Sequence, residues 1–178
     1  MIRRSVPVLW LCGPSGVGKT SVGWEIFTQL DAAGIKTGYV DIDQVGLCYP
    51  GSADDPDNHG IKRQNVGATW PTFRAAGAQC LVLSGLVESR ELAHSYAELL
   101  PDTELTLCRL RVGHTELRNR FIQRGWRTDL VEDTIKDAEA LEHSNFADLS
   151  VDTHGLSVRA VAALVRKQAG GWPQGLTP

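Results

Sequence analysis

The stretch GPSGVGKT, residues 13–20, stands between the apolar run VPVLWLC (6–12) and the segment TSVGWEIFTQLDAAG (20–34). It fits the pattern G-x-x-x-x-G-K-[ST]. The run before it is nearly all apolar, as in a buried parallel strand, and the segment after it has apolar residues at helical spacing. A glycine-rich turn between a strand and a helix is the context expected of a phosphate-binding loop.

The residue types in this loop suit a nucleoside triphosphate. Its glycines let the backbone turn so that N–H groups face a phosphate chain, and the positive end of the following helix adds to the attraction. We expect Lys19 to neutralise the β- and γ-phosphate oxygens and the Thr20 hydroxyl to take one Mg²⁺ position. The predicted cofactors are therefore ATP and Mg²⁺. The expected nucleotide contacts here are Gly13, Ser15, Gly16, Val17, Gly18, Lys19, Thr20 and Ser21.

Strand-like and helix-like segments alternate along the rest of the chain. Strands are predicted at 6–12, 36–43, 78–85, 104–110 and 147–153. Helices are predicted at 20–34, 61–77, 88–100, 115–125, 129–145 and 157–168. This alternation indicates an α/β domain with a parallel sheet, whose ligands gather at the carboxyl ends of the strands. We expect a single domain at 1–170 and a flexible C-terminal tail at 171–178.

Composition excludes several classes of protein. The chain has 178 residues, a net charge of −3 and a pI of about 5.9, which argues against a basic nucleic-acid-binding domain. No apolar run reaches the length of a membrane span. The run after Arg3 and Arg4 is too short for a signal peptide and leads directly into the loop. We therefore expect a cytoplasmic protein with neither a membrane nor a nucleic acid as partner.

The cysteines carry no metal or disulfide pattern. The four of them, at positions 12, 48, 80 and 108, include no C-x-x-C pair, so a zinc site is not indicated. Three stand in or beside predicted strands, where free thiols are usually buried.

Two aspartates lie at the end of the second predicted strand. In an extended strand Asp41 and Asp43 would point to the same side, and paired carboxylates need a positive partner, which we expect to be Mg²⁺ with Lys19. The alternative is that each aspartate caps the strand end and forms the turn. The third strand ends at Ser84, where a motor-type ATPase usually has an acid, and the chain lacks the Asn-Lys-x-Asp guanine motif of a small GTPase.

These features together resemble the adenylylsulfate kinase, gluconate kinase and shikimate kinase group of P-loop phosphotransferases. The resemblance covers nearly the whole chain. Its motifs are GPSGVGKT, the DID after strand two, KRQNVGATWPTFRAAG, CLVLSG, LRNRFIQRG and ADLSVDTHGLSVRAV. It implies a three-layer sandwich with five parallel strands in the order 2-3-1-4-5, like the nucleoside-monophosphate kinases, and a short lid.

The resemblance also implies roles for individual residues. Asp41 would help to hold Mg²⁺ through water and Asp43 would act as base or orienter for the acceptor hydroxyl, although the two roles could be exchanged. Arg120 and Arg124 would be lid arginines that stabilise the transferring phosphoryl group, with Arg127 as a further candidate. Thr153 to Gly155 would pass near the adenine through backbone contacts. The expected substrate-side residues are Asp41, Asp43, Arg63, Asn65, Ser84 and Gly85.

Two positions depart from adenylylsulfate kinase, which the middle of the chain resembles most. That family has an arginine three residues after its second aspartate and another just after the helix asparagine. This chain has Gly46 and Gly67 there. Because these arginines handle an anionic nucleotide, we expect a less anionic acceptor, such as a sugar, an antibiotic or another hydroxylated metabolite.

The sequence thus predicts an ATP-dependent phosphotransferase that moves the γ-phosphate to a hydroxyl of a small molecule, namely a sugar, an antibiotic or a nucleotide-like metabolite. The alternative is a regulatory nucleotide-binding ATPase module with no small-molecule acceptor. Phosphorylation of a nucleic-acid end is a third hypothesis, which the acidic pI disfavours. The identity of the acceptor, the roles of individual lid arginines and the choice between monomer and homodimer stay open.

Overall fold

The computed structural model of the chain describes residues 5–125 and 128–176. Its centre is one parallel sheet of five strands in the order β2-β3-β1-β4-β5. The strands are β1 (Val6–Cys12), β2 (Thr37–Asp41), β3 (Cys80–Ser84), β4 (Thr103–Arg111) and β5 (Leu149–Asp152). The predicted α/β fold and strand order are confirmed.

Helices cover both faces of the sheet. They are α1 (Lys19–Ala32), α2 (Ile42–Val45), α3 (His59–Ala75), α4 (Arg90–Ala97), α5 (His114–Gln123), α6 (Val131–His143) and α7 (Val158–Gln168). A 3₁₀ turn, Thr128–Leu130, precedes α6. In the described parts of the chain, no helix has both the length and the apolar character needed to cross a membrane.

β1 is central and contributes to two hydrophobic cores. Because successive side chains of a strand point to opposite faces, Leu9 joins a core that includes Ile26 of α1 and Val165 of α7. Trp10 joins the core on the other face, where its ring packs edge-on against Tyr96 of α4 with the ring centroids 4.9 Å apart. A strand buried on both faces explains why VPVLWLC is apolar without alternation.

The strand register brings the expected site residues to one edge of the sheet. Leu11 of β1 is paired with Ser84 of β3, and Ser84 in turn with Asp41 of β2. The strands are parallel, so their carboxyl ends share this edge and the loops that follow them lie side by side. The phosphate loop follows β1 at the same edge.

The second strand is shorter than predicted. It ends at Asp41, which caps α2 by accepting hydrogen bonds from the backbone N–H of Asp43 (3.1 Å) and Gln44 (3.3 Å). An aspartate that bonds the backbone two residues ahead favours a helix start over a continuing strand. The expectation that Asp41 and Asp43 point the same way along one strand is therefore wrong. The capping alternative holds for Asp41.

The expected flexible tail begins with a packed residue. Trp172 is 3% exposed and belongs to the core beneath α1 and α7. Its backbone carbonyl accepts a hydrogen bond from Arg166 Nε at 2.9 Å. The chain therefore continues to pack against the domain past the predicted boundary at residue 170. A buried tryptophan side chain removes a large apolar area from water, which favours this packing.

Candidate active site

The phosphate loop depends on the backbone freedom of glycine at two positions in particular. Gly13 has φ +133°, and a Cβ there would lie 2.4 Å from the carbonyl oxygen of Leu110 in β4. Gly18 has φ +109° and caps the N-terminus of α1. Both conformations are strained for any residue with a side chain. The loop therefore rests directly on β4 and delivers the start of α1 to the strand edge.

Lys19 lies over this loop and is nearly buried, with 8% of its surface exposed. Its ammonium donates hydrogen bonds to the carbonyl oxygens of Gly13 (3.0 Å) and Pro14 (3.1 Å). Burial lowers the Lys19 pKa from its ordinary value, and the opposite charges of Asp43 and Asp41 limit that decrease. The ammonium is thus held against the backbone of the phosphate loop.

Asp41 is the centre of a hydrogen-bonded group at the end of β2. Its Oδ2 accepts from the Thr20 hydroxyl at 2.7 Å and from the Ser84 hydroxyl at 3.2 Å. Tyr39 shares a 3.0 Å hydrogen bond with Ser84. A hydroxyl oxygen and a carboxylate oxygen in direct contact beside a phosphate loop form the kind of hard-oxygen donor set that Mg²⁺ prefers. The residues predicted to hold the metal thus fit it.

Asp43 lies in the first turn of α2, and one of its oxygens is already engaged. Oδ1 is 3.4 Å from the ammonium of Lys62 and 3.4 Å from the backbone nitrogen of Leu86, both of which act as donors. Within residues 5–125 and 128–176, Oδ2 has no hydrogen-bonding partner, and the side chain is 43% exposed. Asp43 is therefore fixed on one side and open to a ligand on the other.

A cavity of about 480 Å³ adjoins the phosphate loop on the side of α5 and α7. Its lining combines loop backbone with residues from the turn after β5. Those residues are Gly16, Val17, Gly18, Ser21, Val22, Arg120, Gln123, Arg124, Thr153, Leu156, Ser157, Val158 and Val161. A site of this volume with an apolar wall is large enough for a nucleoside.

The sequence identified this cavity only in part. Thr153 lines it, whereas Gly155 does not and instead forms the turn with φ +66°. Ser15 stands exposed at the tip of the loop, outside the lining. Val158 and Val161 were missed because their spacing in α7 is typical of core packing. The Ser157 side chain caps α7 by accepting from Ala160 N–H, a start signal visible in the sequence.

The two predicted lid arginines differ in their partners. The guanidinium of Arg120 donates to the Thr153 hydroxyl (3.0 Å), the Thr153 carbonyl (3.2 Å) and the Val17 carbonyl (3.4 Å), and pairs with Glu116 at 2.9 Å. The Arg124 side chain is exposed and makes no hydrogen bond or ion pair in the described part of the chain. Arg120 therefore holds the cavity walls together, whereas Arg124 is available to a phosphate.

The other basic residues of this region have structural partners. Arg118 pairs with Glu132, Arg111 lies 3.8 Å from Asp152, and Arg109 donates to the carbonyl of Ser144 at 3.1 Å. Trp126 and Arg127, considered as a cover and a further lid arginine, lie outside the described residues.

The expected acceptor-side residues divide into two groups. Ser84 is fully buried behind Asp41, and a Cβ on Gly85 would lie 2.8 Å from the Cβ of Ile42, so both position the α2 turn. Asn65 donates to the carbonyl of Val45 at 2.7 Å and therefore also supports α2. Arg63 is exposed on α3, and within the described ranges its side chain has no hydrogen-bond partner.

A second cavity, of about 270 Å³, is lined in part by Leu86, the residue whose backbone N–H donates to Asp43. Three carboxylates, from Asp57, Glu88 and Asp137, line it together with Leu86, Ala140 and Leu141. Burial, followed by the charges of Asp133, Glu88 and Asp57, raises the pKa of Asp137. The cavity thus carries a negative potential. Sequence reasoning missed it because its residues come from three separated segments.

Solved structures share this architecture. The Deinococcus radiodurans tunicamycin resistance protein matches with a TM-score of 0.69 and 21% identity, over 97% of this chain and 99% of that one. A gluconokinase from Sinorhizobium meliloti 1021 matches with a TM-score of 0.61 and 20% identity, over 98% and 100%. The Mycobacterium tuberculosis APS kinase, solved with AMPPNP and APS, matches with a TM-score of 0.63 and 18% identity, over 93% and 98%.

The comparisons therefore confirm the P-loop kinase fold. No family model matches the sequence, and no curated protein does so either.

Proposed function

We propose that this protein is an ATP-dependent phosphotransferase that moves the γ-phosphate to a hydroxyl group of a small molecule. The observation that carries the proposal is the position of Lys19. Its buried ammonium donates to the carbonyl oxygens of Gly13 and Pro14 in the phosphate loop, and Asp41 at the end of β2 accepts from the hydroxyl of the next residue, Thr20. Phosphoryl transfer needs little beyond such positioning and charge stabilisation.

In the proposed site, one set of residues binds ATP and another binds the acceptor. ATP would lie with its phosphates on the loop from Gly13 to Thr20 and its base in the larger cavity. Thr20 and Asp41 would hold Mg²⁺, which, when bound, screens the negative charge of the phosphates. Lys19 and Arg124 would contact the transferring phosphoryl group, and Arg120 would keep the cavity walls in place.

Asp43 is the proposed group that faces the acceptor hydroxyl. Its unpartnered Oδ2 would accept the hydroxyl proton as the oxygen attacks the γ-phosphorus, or would orient that hydroxyl for attack. Leu86, whose backbone N–H donates to Asp43, also lines the smaller cavity, where the rest of the acceptor would lie.

The negative potential of the smaller cavity favours an acceptor without net negative charge. Three carboxylates line it, and no lysine or arginine among the described residues does so. An anionic acceptor would meet like charges there, whereas a neutral sugar or an amine-bearing antibiotic would not. The absence of arginine at Gly46 and Gly67 agrees with this class. The four unpaired cysteines suit a reducing compartment, and we infer that the protein acts in the cytoplasm.

A panel assay tests the proposal. Neutral sugars, amine-bearing antibiotics and anionic metabolites such as gluconate and shikimate would be incubated with Mg²⁺ and ATP, and both ADP and phosphorylated product would be measured. We expect a neutral or cationic compound to be phosphorylated. Lys19→Ala should lower turnover at least about 100-fold, and Asp43→Asn should do the same while ATP affinity stays unchanged.

The same assay distinguishes a kinase from the alternative, a regulatory ATPase. A regulatory ATPase module would form ADP without phosphorylating any compound, and Asp43→Asn would leave its ATP hydrolysis intact. That combination would refute the kinase proposal.

A further inference from the structure

Lys62 of α3 is buried beside the proposed acceptor-facing carboxylate. Only 6% of its side chain is exposed, and its ammonium lies 3.4 Å from Asp43 Oδ1. Ion pairs at the surface contribute little, but a lysine removed from water needs a partner that compensates its charge. In the described part of the chain, Asp43 is the carboxylate that pairs with it.

The stem of Lys62 occupies the space beside Gly46. A Cβ at position 46 would lie 2.2 Å from Lys62 Cγ and 2.9 Å from its Cε. The contact involves the middle of the side chain, so a larger residue at 46 would displace the whole stem rather than its free end. Gly46 thus allows the methylene chain to cross the turn and reach Asp43.

One face of α3 holds this arrangement. Asn58, Lys62 and Asn65 are four and three residues apart, which places them on the same side of a helix. The Asn58 amide donates to the carbonyls of Gly46 (3.2 Å) and Cys48 (2.8 Å), and the Asn65 amide donates to Val45 (2.7 Å). All of these contacts fall on the segment that carries Asp43, so the face fixes both the backbone of that segment and its carboxylate.

We infer that Lys62 is a positioning residue for Asp43, and the inference rests on the proposed function. With the Leu86 N–H it occupies Oδ1 and turns Oδ2 towards the acceptor. The pair Gly46 and Lys62 acts as one unit, because the glycine makes the approach of the lysine possible. Misplacement of a reacting group by about 1 Å costs about 100-fold in rate, so loss of Lys62 should affect turnover without affecting ATP binding.

A double-mutant cycle tests this inference. Turnover is measured for Lys62→Met, Asp43→Asn and the double variant, with the best acceptor of the panel and with water as acceptor of the γ-phosphate. We expect Lys62→Met to lower kcat about 100-fold with KM for ATP unchanged, and the double variant to be no slower than Asp43→Asn alone. Lys62→Arg should restore most of the rate, and Lys36→Met, at an exposed lysine beside the other end of β2, should change nothing.

Thermal unfolding of the same variants needs no acceptor and tests the pairing by itself. Asp43→Asn leaves the buried ammonium without its partner and should lower Tm by about 5 °C, and adding Lys62→Met should recover most of that loss. Gly46→Ala should reproduce the rate loss of Lys62→Met. Gly46→Ala added to Lys62→Ala should cost no further stability, because the clashing stem is gone.

The outcomes distinguish the two proposals. A wild type that phosphorylates no compound, combined with thermal coupling between Lys62 and Asp43, would defeat the proposed function and leave the pairing intact. Rate losses that multiply in the double variant, or a Lys62→Met variant with normal kcat, would overturn the positioning role.

Discussion

Single residues in the cavity beside the phosphate loop have separable tasks, and the arginines show this best. Arg120 is tied to both walls through Thr153 and Val17, while Arg124 stands unpaired within the described chain. A side chain that links two elements contributes to stability, whereas an exposed one contributes to function only when a ligand arrives.

Replacing each arginine with methionine should separate these tasks. Arg120→Met is expected to lower Tm by about 3 °C or more and to weaken ATP binding, since it releases the Thr153 turn from the loop. Arg124→Met is expected to leave Tm within about 1 °C and to lower kcat. Calorimetry and steady-state kinetics check both expectations, and equal Tm losses in the two variants would contradict them.

Residue types were predictable where the chemistry dictates them, and side-chain partners were not. Lys19, Thr20 and Gly13 follow from the loop pattern alone. Nothing in the letters shows that Asn65 bonds Val45 or that Lys62 reaches Asp43, because both contacts depend on how α3 lies against α2. In the sequence, Gly46 stands out only because it replaces an arginine. Its packing role depends on Lys62, whose side chain fills the space beside it.

At the scale of elements, the junction between α2 and α3 depends on one asparagine. Asn58 is 4% exposed, adopts a left-handed backbone with φ +57°, and donates to two carbonyls of the preceding loop. Its side chain thus joins the helix start to the segment that carries Asp43.

Asn58→Gly should isolate the contribution of the amide, since glycine tolerates the same backbone conformation. We expect a loss of about 1–3 kcal/mol in unfolding free energy, from two lost hydrogen bonds, of which the one to Gly46 is buried, and from a more flexible unfolded chain. Urea denaturation measures this loss. As a control, Gln64→Gly at an exposed position of α3 reports the general cost of a helical glycine. A loss no larger than in that control would argue against the role of the Asn58 amide.

Element boundaries were predictable to within a few residues, except where a side chain competed with the backbone. β1 was predicted residue for residue, because an apolar run ends sharply at Gly13. The second strand was predicted too long, because the alternation in DID favours a strand until Asp41 is seen to accept the N–H of Asp43. Where the sequence pattern allows an element to end at more than one residue, local side-chain hydrogen bonds of this kind determine where it ends.

At the scale of the whole molecule, the carboxylates of the smaller cavity make stability depend on pH. Burial and the neighbouring acids raise the pKa of Asp137 in the folded state above its ordinary value of 3.8. A carboxyl with a raised folded pKa reduces stability when ionised, and this penalty disappears as pH falls through that pKa towards the unfolded value.

Asp137→Asn should therefore stabilise the protein at neutral pH and progressively less in acid. The expected gain in Tm is about 1 °C at pH 7, small because the side chain is partly solvated, and it should vanish near pH 4. Thermal melts of wild type and variant across that range supply the measurement. A gain that grows as the solution is acidified would have the wrong sign.

The thiols should report on the integrity of the central sheet. Cys12, Cys80 and Cys108 are buried in β1, β3 and β4, and burial raises the pKa of Cys12 to about 12 in spite of the nearby Lys19. Cys48 is exposed. We expect one fast-reacting thiol per chain with a disulfide reagent at about pH 8, and three that react only as the sheet opens. Cys48→Ser should remove the fast phase, and its persistence would show that a strand thiol is accessible.

The contact between Gly13 and the carbonyl of Leu110 has a consequence for the order of folding. The loop follows β1 early in the chain, yet the surface on which it rests is supplied by β4, almost a hundred residues later. Pairing across such a separation is slow to form, so the loop takes its shape only once β1 and β4 have met. A nucleotide that binds only to the completed loop would then stabilise the protein by slowing its unfolding, and would do little to speed its refolding.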